Sequence, residues 1–252
     1  MQTNWLVDLI DSPTPPREPV PYLIPHAGAG VSAVLALGRA LADHLHPVAV
    51  RLPGRESLLE QEPITDLPTV ANGLAEQIRA HVERRLIVLY GHSSGAVLAY
   101  ETARRLPPDQ VVLLVVSAQQ APGHGPKRST AVWTLPDDEF FAQVVEDGYL
   151  PEGLLAQPEV LELVGPALRA DYQAIDHHTR SLQAPEPIAV PIIAIQADND
   201  DTVATDDIAA WATMTTCEWR LVTLPGGHNL LRDQATGLAD IIHDGVRKTV
   251  RG

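Results

Sequence analysis

Short aliphatic runs alternate with amphipathic stretches along most of the chain. Val20–Ile24, Val48–Leu52, Leu86–Tyr90, Val111–Ser117, Ile192–Gln196 and Arg220–Leu224 are bounded by Pro, Gly or polar residues and read as strands buried on both faces of a parallel sheet. The clearest helix is marked by Leu67, Val70, Leu74, Ile78 and Val82. Steps of three and four place them on one apolar stripe, and Asp66 followed by Pro68 suits a helix start. This strand–helix alternation predicts an α/β architecture, a mostly parallel central sheet flanked by helices, as one domain over 1–252. The alternation stops across 127–184. There Thr134-Leu135-Pro136-Asp137 looks like a cap before Phe140, Phe141, Val144 and Val145. Val160, Leu161, Val164, Leu168, Tyr172 and Ile175 make a second helical pattern, with no strand between the two. A helical lid insertion is expected there. Five prolines between Asp11 and Pro21 make that stretch an extended arm.

Composition narrows the possibilities. The chain has 252 residues, 45% of them hydrophobic and 20% charged, which suits a globular domain with a substantial core. A net charge of −14 opposes binding to nucleic acid, which needs cations against phosphates. The longest aliphatic run, Val111–Val116, is too short to span a bilayer. Asp8 and Asp11 interrupt any secretory pattern at the N-terminus, so a cytoplasmic protein without membrane partners is expected. The single cysteine, Cys217, cannot form an intramolecular disulfide. It lies in Cys217–Val222, which reads as a strand, so a buried structural thiol is expected.

The candidate chemistry centres on Gly91-His92-Ser93-Ser94-Gly95. An aliphatic run precedes it and a helical one, Ala96–Glu101, follows it. Strand, Gly-x-Ser-x-Gly, helix is the nucleophile elbow of an α/β-hydrolase fold: the serine sits on a sharp turn at a helix N-terminus, and the glycines let strand and helix approach. A serine hydroxyl needs a base. His228 follows the last strand in Leu224-Pro225-Gly226-Gly227-His228, where this fold carries its base. His92 should point elsewhere on the turn, and His177, His178 and His243 lie on other elements. The base needs an acid, and Asp198, Asp200 and Asp201 follow the strand at Ile192–Gln196. Asp200 is our choice. Oxyanion donors are expected at the backbone N–H of Ser94 and, in the loop after Tyr22-Leu23-Ile24, of Ala27. The same loop contains Gly28-x-Gly30-x-x-Ala33, a rival dinucleotide fingerprint, though Arg51 stands where the ribose-binding acid should be. No metal site is evident; His44-x-His46 and His177-His178 lack companion ligands.

Pro25-His26-Ala27-Gly28, Arg51-Leu52-Pro53-Gly54-Arg55-Glu56, the elbow, Leu135-Pro136-Asp137-Asp138-Glu139, Leu168-Arg169-Ala170-Asp171-Tyr172 and Pro225-Gly226-Gly227-His228 occur in that order. From about Tyr22 to Asp233 the chain resembles the type II thioesterases that accompany polyketide synthases and nonribosomal peptide synthetases, including those of antibiotic biosynthesis. The resemblance implies hydrolysis of acyl groups from the phosphopantetheine arm of acyl or peptidyl carrier proteins. It implies a triad of Ser93, Asp200 and His228 and oxyanion amides at Ala27 and Ser94. No cofactor is expected beyond the phosphopantetheine that arrives with the substrate. The chain departs from the family pattern at Ser94, where Met is usual, and at Asn229-Leu230, where an aromatic pair is common. It also lacks an Arg near Gln119 and Gln120 and the usual Asp-Pro in the loop Asp198–Asp201. These changes bear on acyl preference. An esterase or acyltransferase acting on a small-molecule acceptor would use the same triad. An acidic carrier predicts a basic docking surface drawn from Arg104, Arg105, Lys127, Arg128 and Arg180.

Overall fold

The computed structural model describes residues 4–10, 19–124, 131–181 and 186–251. Among them seven strands form one sheet in the order β1-β3-β2-β4-β5-β6-β7. These are β1 (Leu6–Asp8), β2 (Val20–Ile24), β3 (Val48–Val50), β4 (Ile87–His92), β5 (Val111–Ser117), β6 (Ile192–Ala197) and β7 (Trp219–Leu224). All neighbours pair in parallel except β1, which runs antiparallel to β3. β1 is too short to stand out as a periodic run. The expected strand at Val48–Leu52 ends at Val50, before Pro53. β7, read as buried on both faces, is an edge strand and is half-exposed. Cys217 precedes β7 and is exposed, not the buried thiol expected, because the strand begins only at Trp219.

Helices α1 (Val31–Leu41) and α8 (Ala235–Arg251) cover one face. α2 (Leu67–Val82) and α3 (Ser94–Ala103) cover the other. The α2 stripe is buried as its spacing predicts, and the Asp66 carboxylate caps the helix by accepting from Thr69 N–H at 2.9 Å. Short helices α6 (Thr205–Ala209) and α7 (Leu230–Asp233) follow β6 and β7.

Between β5 and β6 lie α4 (Asp137–Glu146) and α5 (Pro158–Ser181), with 3₁₀ turns at Val132–Thr134 and Glu152–Ala156. Lys127–Thr130 and Leu182–Ala184 of the expected insertion, and most of the proline arm, lie outside the described residues. Phe140, Phe141, Val144, Val132 and Leu168 form a separate small core that also takes in Ala27, from the loop after β2. The Arg169 guanidinium lies 4.0 Å from the Phe140 ring centroid and donates to the carbonyls of Trp133 and Leu135, which ties α5 to the start of α4. No helix of the described residues is long and apolar enough to cross a membrane.

Candidate active site

The parallel strands deliver the site at their carboxyl ends, where open α/β sheets place ligands. β2 leads into Pro25–Gly30, β4 into Ser93, β6 into Asp198–Thr202 and β7 into Gly226–His228. Ser93 has φ 52° and ψ −126°, a strained backbone for a residue with a side chain. Sterics keep it there. A Cβ on Gly91 would lie 2.2 Å from the Gly95 carbonyl oxygen, and one on Gly95 would lie 2.3 Å from that of Pro25. Only glycines let strand and helix close around the turn.

His228 links Ser93 to Asp200. Its Nε2 is 3.1 Å from Ser93 Oγ, and its Nδ1 is 2.8 Å from Asp200 Oδ2. A carboxylate only accepts, so Nδ1 carries the proton and neutral Nε2 is left to accept from the serine. Asp200 also accepts from the Thr202 N–H and hydroxyl, and that hydroxyl lies 2.8 Å from His228 Nδ1. Burial pushes the Asp200 carboxyl up, but the hydrogen bond and charge of His228 and the bonds from Thr202 hold it below the usual carboxylate range. Of the other two carboxylates considered, Asp198 instead accepts from the Gly226 N–H at 2.9 Å, and Asp201 is exposed.

His92, beside the serine in sequence, is bonded to Ser117 and not to the triad, though its ring lies 5.7 Å from that of His228. The His92 Nδ1 is 2.8 Å from Ser117 Oγ, which also meets the Tyr90 hydroxyl. Complete burial holds its pKa well below the ordinary value, so it stays neutral. His26 is also held below the ordinary value, chiefly by burial. Ala27 and Ser94 line one pocket with His228; its volume is about 230 Å³. The insertion supplies much of the remaining lining, including Trp133, Asp147, Tyr149, Tyr172, Ile175 and Thr179.

Sequence reasoning missed three contributors. Tyr149, in the loop after α4, places its hydroxyl 2.5 Å from Ser93 Oγ, with its ring 5.5 Å from that of His228. Thr202 braces both Asp200 and His228. Asp171 accepts from the Gly28 N–H. No spacing rule joins these residues to the elbow, because they meet it only through the packing of the insertion and the turn after β6.

The rival dinucleotide reading fails at the start of α1. The Val31 and Ser32 N–H groups, where a pyrophosphate would sit, donate to the Glu56 carboxylate, and a Cβ on Gly30 would lie 2.5 Å from that carboxyl carbon. The expected basic surface also changes. Arg104 and Arg105 both turn onto buried Glu101, and Arg180 pairs with Asp176, so carboxylates three or four residues away in sequence already neutralise them. Lys127 and Arg128 lie outside the described residues.

A mostly parallel sheet, an elbow serine on its central strand and a histidine after its last strand define an α/β-hydrolase. Residues 22–246 match the thioesterase domain model. The chain belongs to that family and is a thioester hydrolase, similar to type II thioesterases. A probable cadicidin biosynthesis thioesterase of Streptomyces griseus is 30% identical over 223 residues, covering 87% of this chain but 61% of that relative's length. The gramicidin S biosynthesis protein GrsT of Aneurinibacillus migulanus is 30% identical over 213 residues, covering 83% of this chain and 82% of its own. The structure of BorB, a type II thioesterase from the borrelidin biosynthetic cluster, matches with a TM-score of 0.80 at 30% identity, covering 96% of each chain.

Proposed function

We propose that the protein hydrolyses acyl groups from the phosphopantetheine arm of acyl or peptidyl carrier proteins in polyketide or nonribosomal peptide assembly, where it edits or releases bound units. The observation that carries the reading is His228 bridging Ser93 and Asp200, with Ala27, Ser94 and His228 lining one pocket. The biosynthetic names of the relatives support the substrate class.

In this mechanism His228 Nε2 takes the Ser93 hydroxyl proton as Oγ attacks the thioester carbonyl. The Ala27 and Ser94 N–H groups hold the oxyanion. The tetrahedral intermediate collapses, the C–S bond breaks, and the pantetheine thiolate leaves with the proton from His228. A water molecule, deprotonated by His228, then attacks the acyl-serine ester, and as the C–Oγ bond breaks His228 returns that proton to Oγ, which releases the free acid and restores Ser93. Side chains, amides and water suffice, and phosphopantetheine enters only as part of the substrate. The helical insertion acts as a lid that roofs the pocket with Trp133, Tyr149 and Tyr172.

The test is mass spectrometry of an acyl-loaded carrier protein incubated with wild-type enzyme and with Ser93→Ala. The expected result is loss of the acyl mass, with free acid as product, for wild type alone. Ser93→Ala should lower turnover by at least about 10⁴-fold. A carrier left untouched across several acyl chains would overturn the carrier substrate and favour a small-molecule ester.

A further inference from the structure

The loop bearing the Ala27 amide is short, and it is held from outside. His26 to Ala29 form a tight turn, closed by the Ala29 N–H donating to the His26 carbonyl at 3.1 Å. Gly28 at φ +71° gives it type II form, a conformation that favours glycine. The central peptide of such a turn, here the Ala27 carbonyl and the Gly28 N–H, is the unit whose flip converts type II to type I. Both of its ends are gripped. His26 Nδ1–H donates to the Ala27 carbonyl at 3.0 Å, and the Gly28 N–H donates to Asp171 Oδ2 at 2.7 Å. A flip would turn the Ala27 carbonyl toward the Asp171 carboxylate and lose both bonds.

Asp171 is itself fixed. Arg55 meets it with a bidentate fork, Nη1 to Oδ2 at 2.8 Å and Nη2 to Oδ1 at 3.0 Å. The same Nη1 donates to the Ala29 carbonyl at 3.2 Å, on the far side of the turn. Arg55 is 6% exposed, so little water competes for these bonds. Leu168, one turn before Asp171 on α5, packs so closely that a Cβ on Gly28 would lie 2.7 Å from its Cδ1. The turn is therefore seated on the insertion.

We propose that Asp171 is a positioning residue for the oxyanion site: oriented by Arg55, its carboxylate anchors the turn through the Gly28 N–H and so fixes the place of the loop that carries the Ala27 amide. The inference rests on the reading of Ala27 as an oxyanion donor. It implies that α5 around Leu168–Asp171 stays in place during turnover. It also gives a role to two residues, Arg55 and Asp171, that stand well apart in sequence and touch no reacting atom.

The experiment compares wild type, Asp171→Asn and Arg55→Lys. It measures steady-state turnover of a carrier-bound thioester, affinity for a boronic acid that adds to Ser93 Oγ, and Tm. Expected for Asp171→Asn are a kcat lower by about tenfold to a hundredfold, a KM within about threefold of wild type, and boronate affinity weakened by the same factor as kcat. Arg55→Lys, which keeps charge without the fork, should fall between. A purely structural ion pair would lower Tm and leave kcat and boronate affinity unchanged, and that result would overturn the proposal. If Asp171→Asn does not fold, Arg55→Lys carries the same test. A wild-type enzyme that neither binds the boronate nor clears the carrier would overturn the reading of the site, and this inference with it. Normal wild-type behaviour with unaffected variants would overturn this inference alone.

Discussion

Asp200 is the acid that reaches His228, and its surroundings keep it ionised there. His228 and Thr202 together outweigh the cost of burying the carboxylate. Asp200→Asn would replace the acceptor with a group that favours the wrong imidazole tautomer. Its kcat should fall by roughly 10⁴-fold. Steady-state turnover measures this, and a loss under tenfold would show that Thr202 alone orients His228. Tyr149 acts at the same scale. An oxygen 2.5 Å from Ser93 Oγ occupies the space that substituents of an attacked carbonyl carbon must enter. The ring or the hydroxyl must therefore shift as substrate binds. Tyr149→Phe should speed labelling of Ser93 by a small phosphonate several-fold; slower labelling would mean that the hydroxyl assists attack instead.

At the scale of elements, the elbow is a packing problem solved by glycine. Gly91→Ala would drive a methyl group into backbone at 2.2 Å, with no side chain to yield. Stability should drop by about 1–3 kcal/mol or more, and activity with it, as read by chemical denaturation and turnover. This element was legible in sequence because each of its requirements is local: an aliphatic strand, small residues at fixed offsets, then a helix. The α2 start at Asp66 was legible for the same reason. β1 was not, since an antiparallel edge strand of Leu6–Asp8 is stabilised by pairing with β3, not by its own pattern. The insertion showed as helices, but the seating of its core on Ala27 did not. Phe140→Ala should cost about 3–5 kcal/mol by emptying that core, a loss that a denaturant titration would show.

Across the whole molecule, Glu101 joins α3 to α5. It is 1% exposed and takes Arg104 and Arg105 from the turn that follows α3 and His178, at 3.4 Å, from α5. Burial raises its pKa, but these partners outweigh burial and pull it from 4.5 to about 2. A depressed carboxylate stabilises the fold fully above its unfolded value, and that contribution is lost as pH falls from about 4.5 towards 2. Glu101→Gln should therefore flatten the stability curve across that window; an unchanged acid limb would place the acid sensitivity elsewhere. The chain's own order of residues determined the α/β architecture, the helical insertion, Ser93 on its elbow and His228 after the last strand. Those features follow from periodicity, turn chemistry and chain order, which are properties of neighbouring residues. Asp200 was named from the sequence, but only the tertiary structure showed why it and not Asp198 meets His228, that Tyr149 and Thr202 join the site, and that the Arg55–Asp171 pair grips the turn at Ala27. It also set Arg104 and Arg105 against Glu101 and left Cys217 exposed. Each of these depends on contacts between segments far apart in sequence, fixed by packing that no local pattern encodes.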